Sequence, residues 1–181
     1  MSTKKTIIPN VFDGGTFKVA GIEFIKFPAE DGKIPAVAKD ILFLSRFGSN
    51  NDFRESRVLQ KLEAEVLPKI IDVVREDSLH TIRTDLTTLD GLKTYGVMES
   101  RISLPTLDFY RKYVEIFDKY KVKGWWWLAT PESAPKHSSD CWTLCVSPSG
   151  SVFIGDYGDD FGVRPVLLFD ASIFESSGAE E

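Results

Sequence analysis

Two cysteines, two histidines and two methionines among 181 residues supply few soft or imidazole ligands. Cys141 and Cys145 are too few for a disulfide framework. Four-residue spacing along one strand also holds them too far apart to bond to each other, so they are expected as reduced thiols. Long apolar runs are missing too. Ile41 to Leu44 and Val166 to Phe169 fall far short of the roughly 20 residues that cross a bilayer, and no membrane span is encoded. No apolar stretch of about 7–15 residues follows the basic residues near Met1. A secretory signal is therefore not expected, and the location read from the sequence is cytoplasmic or virion-associated. Basic residues are outnumbered: the net charge is -5 and the isoelectric point about 5.2, which argues against nucleic acid as a partner. Phosphate-loop, dinucleotide and G-x-S-x-G fingerprints do not occur, so no cofactor is expected and a hydrolytic triad is hard to assemble around His80 or His137.

What is present is an ordinary globular composition, 43% hydrophobic and 27% charged, in a length typical of one domain. Only the tail after Phe174 reads as frayed. Thr16 to Phe27 alternates apolar and polar residues around Ala20-Gly21, which predicts two short strands or one bulged strand. Asp31-Gly32 predicts a turn into a strand or hairpin partner over Ile34 to Phe47. Ser49 to Asp52 offers capping side chains, and Val58, Leu59, Leu62, Val66 and Leu67 recur at helical steps. This predicts a helix from Arg54 to Leu67, limited by Pro68, with a short second piece over Ile70 to Val74. Short strands are expected at Thr81 to Thr88 and Arg101 to Leu104. A second principal helix is expected to open at Thr106 and end before Gly124, with Leu107, Tyr110, Val114 and Phe117 on one side.

After Gly124 the pattern changes to short apolar runs split by Ser, Pro, Gly and Asp. Strands are expected at Trp125 to Leu128, Cys141 to Val146, Ser151 to Ile154 and Val163 to Phe169, with Ser147 to Gly150 as a hairpin turn. Consecutive indoles at Trp125, Trp126 and Trp127 alternate between the faces of a strand, so one can face outward while its neighbours are buried. Asp156 to Gly162 reads as a surface loop whose carboxylates are hard donors suited to calcium, although a solvated acidic turn is the commoner arrangement. Arg164 enters an apolar strand and is expected in a structural ion pair.

Three motifs in order, Trp126-Trp-Leu-Ala-Thr-Pro131, Val146-Ser-Pro-Ser-Gly-Ser-Val152 and Gly162-Val-Arg-Pro165, resemble a bacterial and phage domain family without an established general function. The likeness continues upstream through Asn51 to Ser56, Thr84 to Gly91 and Leu104 to Arg111. Ala129 departs from it, standing where the family often has arginine. That family is similar to C-type lectin-like folds, including retroelement-diversified variable proteins and formylglycine-generating enzymes. The resemblance implies an α+β, C-type lectin-like fold with two principal helices and a small, irregular, mostly antiparallel sheet, as a single domain over residues 1–174. It also implies a contact surface at Ser139, Asp140, Trp142, Leu144, Asp156, Tyr157, Asp159, Asp160 and Phe161. The expected function is a binding module for a protein or glycan. The alternatives are a copper oxidase using Cys141 and Cys145, whose spacing differs from the enzymes' cysteine pair, and a structural or assembly protein.

Overall fold

The computed structural model describes residues 7–139 and 142–175. Of the two expected arrangements, two short strands and one bulged strand, the first is found: β1 (Thr16–Val19) and β2 (Ile22–Lys26) form a hairpin, with Phe17 opposite Phe24. Ala20 and Gly21 both take positive φ, 52° and 76°, the pattern of a two-residue turn whose twist matches the flanking strands. The run from Ile34 to Phe47 is divided between two sheets as β3 (Lys33–Ala38) and β4 (Phe43–Ser45).

Asp52 caps a 3-10 turn at Phe53–Glu55, and Ser56 caps α1 (Arg57–Lys61) by accepting the Leu59 N–H at 3.0 Å. The helix does not stop at Pro68. It runs through a π turn, Leu62–Val66, into α2 (Leu67–Val74), where Pro68 lies in the first turn. The wider turn makes a Leu67 N–H to Leu62 C=O bond, so the helix begins a new first turn at a point that tolerates the missing proline donor. Val58, Leu62, Val66, Ile70 and Val74 all face the core.

β5 (Ile82–Asp85) pairs with β6 (Val97–Ser100), a strand the sequence placed a few residues too late; Ser103 instead makes an isolated bridge to Val166. Thr106 caps α3 (Leu107–Lys112). The predicted second helix then breaks at Tyr113, continues as α4 (Val114–Phe117) and ends in a 3-10 turn at Asp118–Tyr120. The break rotates Val114 into solvent while Tyr110 and Phe117 stay buried.

The C-terminal part supplies β7 (Trp126–Pro131), β8 (Trp142–Val146), β9 (Val152–Asp156), β10 (Phe161–Val163) and β11 (Val166–Asp170). They and the earlier strands make three sheets: β1-β2-β3-β11, β4-β10-β7-β8-β9 and β5-β6. All pairings are antiparallel except β10 with β7. The apolar run Val163 to Phe169 is therefore two strands in two sheets. Arg164-Pro165 makes the crossing, where the Ala38 N–H donates to the Pro165 carbonyl at 3.0 Å. β7 and β8 are buried on both faces: Trp127, Ala129 and Cys145 join one apolar cluster, and Trp126, Leu128, Leu144 and Val146 join the other. Among the described residues no helix is long and apolar enough to cross a membrane.

Arg164 is 1% exposed and its pairing differs from the expected ion pair. Its Nε donates to the Ala38 carbonyl at 3.0 Å, and one terminal nitrogen donates to Lys39 O at 2.8 Å and Tyr120 O at 3.4 Å. The guanidinium also lies 4.7 Å from the centre of the Trp126 ring. Burial pulls its pKa down to about 10, which leaves it charged at neutral pH.

Candidate functional site

The turn between β9 and β10 is set by its own carboxylates. The Gly158 N–H donates to Asp156 Oδ1 at 2.8 Å, the Asp156 N–H to Asp159 Oδ2 at 3.2 Å, and the Asp159 N–H returns to the Asp156 carbonyl at 2.9 Å. Such local bonds are the reason Asp and Gly are favoured in turns. Asp156, Asp159 and Asp160 are exposed. Tyr157 is half-buried, and its carbonyl ties the turn to the N–H groups of Phe47 at 2.9 Å and Gly48 at 3.4 Å. Among the described residues no three His, Cys, Asp or Glu side chains gather as a metal site.

Trp142, also half-buried, is the cross-strand neighbour of Asp156. Phe161 lies on the same sheet face as Trp125, Trp127 and Phe153. Its ring is 4.6 Å from Trp127 and 5.9 Å from Trp125, which in turn is 5.2 Å from Phe153. The alternation of indoles holds: Trp125 is exposed while Trp126 and Trp127 are buried. Gly155 lets these rings lie against β9, since a side-chain carbon there would sit 2.6 Å from Phe161 Cε2 and 3.0 Å from Trp127 Cζ3. Gly155→Ala is expected to cost about 1–3 kcal/mol through overpacking and to shift tryptophan emission. Urea denaturation followed by fluorescence measures both, and an unchanged midpoint would show that the rings repack freely.

Ser139 is exposed on the loop before β8. Asp140 and Cys141, two further sequence-predicted residues, lie outside the described residues. Leu144 is a correction: at 1% exposure it packs with Trp126, Leu128 and Val146, because both faces of β8 are covered and its side chain enters the second apolar cluster. Cys145 is buried and its thiol points at the Phe153 carbonyl, 3.5 Å away. Burial pushes its pKa up to about 12, opposite to what a thiolate ligand or nucleophile requires.

The loop carrying Ser133 and His137 is fastened by two polar hubs. Asn51, 1% exposed, donates through Nδ2 to Ser133 O at 2.9 Å and Trp142 O at 3.0 Å, and its Oδ1 accepts the Tyr95 hydroxyl at 2.7 Å. Asp90 accepts from Thr88 Oγ1 at 2.5 Å and Ser133 Oγ at 2.7 Å, and pairs with His137 Nδ1 at 2.9 Å. Those bonds, the Thr88 hydroxyl foremost, hold the Asp90 carboxyl well below the usual range. Ser133 here bonds to the carboxylate and not to the imidazole, so the order differs from that of a hydrolytic triad.

Two surface features were missed in the sequence. Val152, Phe153 and Ile154 form the expected strand but are all exposed, which the strand pattern alone does not indicate. Away from the C-terminal turn, a cavity of about 350 Å³ is lined by Pro35, Ile82, Leu104, Phe109, Val166 and Leu168 among others. Its walls come from elements far apart in the chain, and no local pattern marks it.

The arrangement defines an α+β protein of two main helices and three mostly antiparallel sheets, with an aromatic and acidic surface at one end of the largest sheet. No family model, curated protein or solved structure matches the chain.

Proposed function

We propose that the chain is a ligand-binding module on a C-type lectin-like scaffold, which presents its C-terminal surface to a protein or glycan. The observation that supports this reading is the gathering, at one end of the largest sheet, of three exposed carboxylates, Asp156, Asp159 and Asp160, with the half-exposed rings of Trp142 on β8, Tyr157 in the turn between β9 and β10, and Phe161 on β10. Aromatic rings give contact area at small entropic cost, and fixed acids beside them supply directional acceptors for hydroxyl, amide or basic groups. Ser139, exposed on the loop before β8, belongs to the same proposed surface, to which the motif resemblance adds Asp140, while Leu144 acts as scaffold. The motif resemblance extends the reading to a phage, prophage or bacterial variable protein whose loop positions are diversified by a retroelement.

An array of glycans and proteins probed with the wild-type chain, Trp142→Ala and Asp160→Lys tests the assignment. A ligand bound by the wild type and weakened about tenfold or more by either substitution, with melting behaviour unchanged, is the expected outcome. Equal binding by all three chains overturns it. A reverse transcriptase and an adenine-variant template repeat beside the gene would establish diversification, and a locus without them removes that extension.

A further inference from the structure

Strand β9 lies at the rim of the five-stranded sheet, with β8 on one side only. The hairpin fixes which of its main-chain groups face outward. Ser147 N–H donates to Ser151 O at 2.9 Å, so Ser147 and Ser151 are a hydrogen-bonded pair. The alternation of an antiparallel ladder then makes Cys145 with Phe153, and Thr143 with Gly155, bonded pairs as well. Val152, Ile154 and Asp156 therefore aim their N–H and C=O groups away from β8. The contacts agree, because both main-chain groups of Asp156 are taken by Asp159 across the turn. At the opposite end the Gly150 carbonyl accepts the Tyr110 hydroxyl at 2.6 Å.

Between those closed ends, Val152 and Ile154 present main-chain groups that pair with nothing among the described residues. The side chains there are apolar and open: Val152, Phe153 and Ile154 are 38%, 50% and 45% exposed. Native sheet rims usually carry a charge, a proline or a bulge that discourages pairing. The centre of this one carries none of them.

We propose that β9 joins two copies of the chain by antiparallel pairing about a two-fold axis at Phe153. The strand is self-complementary in that register. Val152 of each copy meets Ile154 of the other as a hydrogen-bonded pair, giving about four main-chain bonds, and the two Phe153 rings meet in the close, non-bonded position. Charge selects the same arrangement. One end of β9 carries Asp156, Asp159 and Asp160. The other end runs beside the segment from Asp118 to Lys123, where Asp118 and Lys121 pair at 3.9 Å next to Gly150 and Lys119 and Lys123 leave the segment net basic. Antiparallel pairing sets each acidic end against the basic end of the second copy, whereas parallel pairing sets like ends together. The result is one continuous sheet with the Trp125–Phe153 aromatic contacts of both copies meeting at its centre.

Light scattering on the size-fractionated full chain tests the proposal across a wide range of concentration, and a dimer is expected. Ile154→Pro removes an outward N–H without touching the bonds to β8, so it should raise the dimer dissociation constant about tenfold or more while the melting curve is retained. In a Cys141→Ser background, Phe153→Cys should form an intermolecular disulfide on mild oxidation, since non-bonded antiparallel partners fall within disulfide reach. Ser151→Cys should not, because the register separates those two positions. A monomer at every concentration overturns the proposal, including one that instead captures an extended peptide at β9. So does a dimer that neither Ile154→Pro weakens nor Phe153→Cys cross-links.

Discussion

Asn51→Asp is expected to lower stability by about 3–5 kcal/mol, the range for a buried charge left without compensation. Asn51 Nδ2 donates to two carbonyls, Ser133 O and Trp142 O, and an aspartate of the same shape would point a second acceptor at both. Only the Tyr95 hydroxyl would still find its partner. Asn51→Ala should cost less, about 2–3 kcal/mol, because it leaves unsatisfied groups but adds no charge. Chemical denaturation of the three chains measures the order. An aspartate variant no less stable than the alanine variant would mean that the amide is not donating as assigned. Loss of this hub also frees the loop before β8, so proteolysis between Ser133 and Ser139 should accelerate in both variants.

Arg164→Ala is expected to cost about 3–5 kcal/mol, combining a core cavity with carbonyls of Ala38, Lys39 and Tyr120 left without a donor. Arg164→Lys should fall between, since a single ammonium keeps the charge but cannot span three carbonyls as a planar fork does. Asp40→Asn offers the contrast. Asp40 acts on the guanidinium only through its charge, so neutralising it should change the urea midpoint far less than either Arg164 substitution. A large Asp40→Asn effect would restore an ion pair as the main support of Arg164.

Much of the architecture was legible because it is local. The Ala20-Gly21 and Ser147–Gly150 turns, the capping of α3 by Thr106 and the alternation of the three indoles depend on residues a few positions apart, and pattern reading locates them. The failures share a different cause. Pro68 terminates a helix by the usual rule, but a π turn ahead of it shifts the hydrogen-bond frame, and nothing in the periodicity of Val58 to Val74 announces that turn. Asn51 reads as one capping residue among four, whereas its partners lie in the loop and strand around Ser133 and Trp142. Val163 to Phe169 reads as one strand because the crossing between sheets at Arg164-Pro165 is a tertiary event. At the candidate site the acidic turn and the rings of Trp142, Tyr157 and Phe161 were visible as composition. The burial of Leu144 and the exposure of Val152 to Ile154 were not, since each depends on whether a neighbouring layer exists.

The crossing at Arg164-Pro165 also determines how the molecule carries mechanical load. A pull on the acidic turn enters β10, and the chain leading out of β10 passes directly through Arg164 into β11. At that point the guanidinium grips the end of β3 through Ala38 and Lys39 and the end of the second helical segment through Tyr120. Tension is thereby divided among three chain segments before it reaches the next sheet. A surface held by a ligand would be braced against the body of the protein at Arg164, the most deeply buried charged side chain among the described residues.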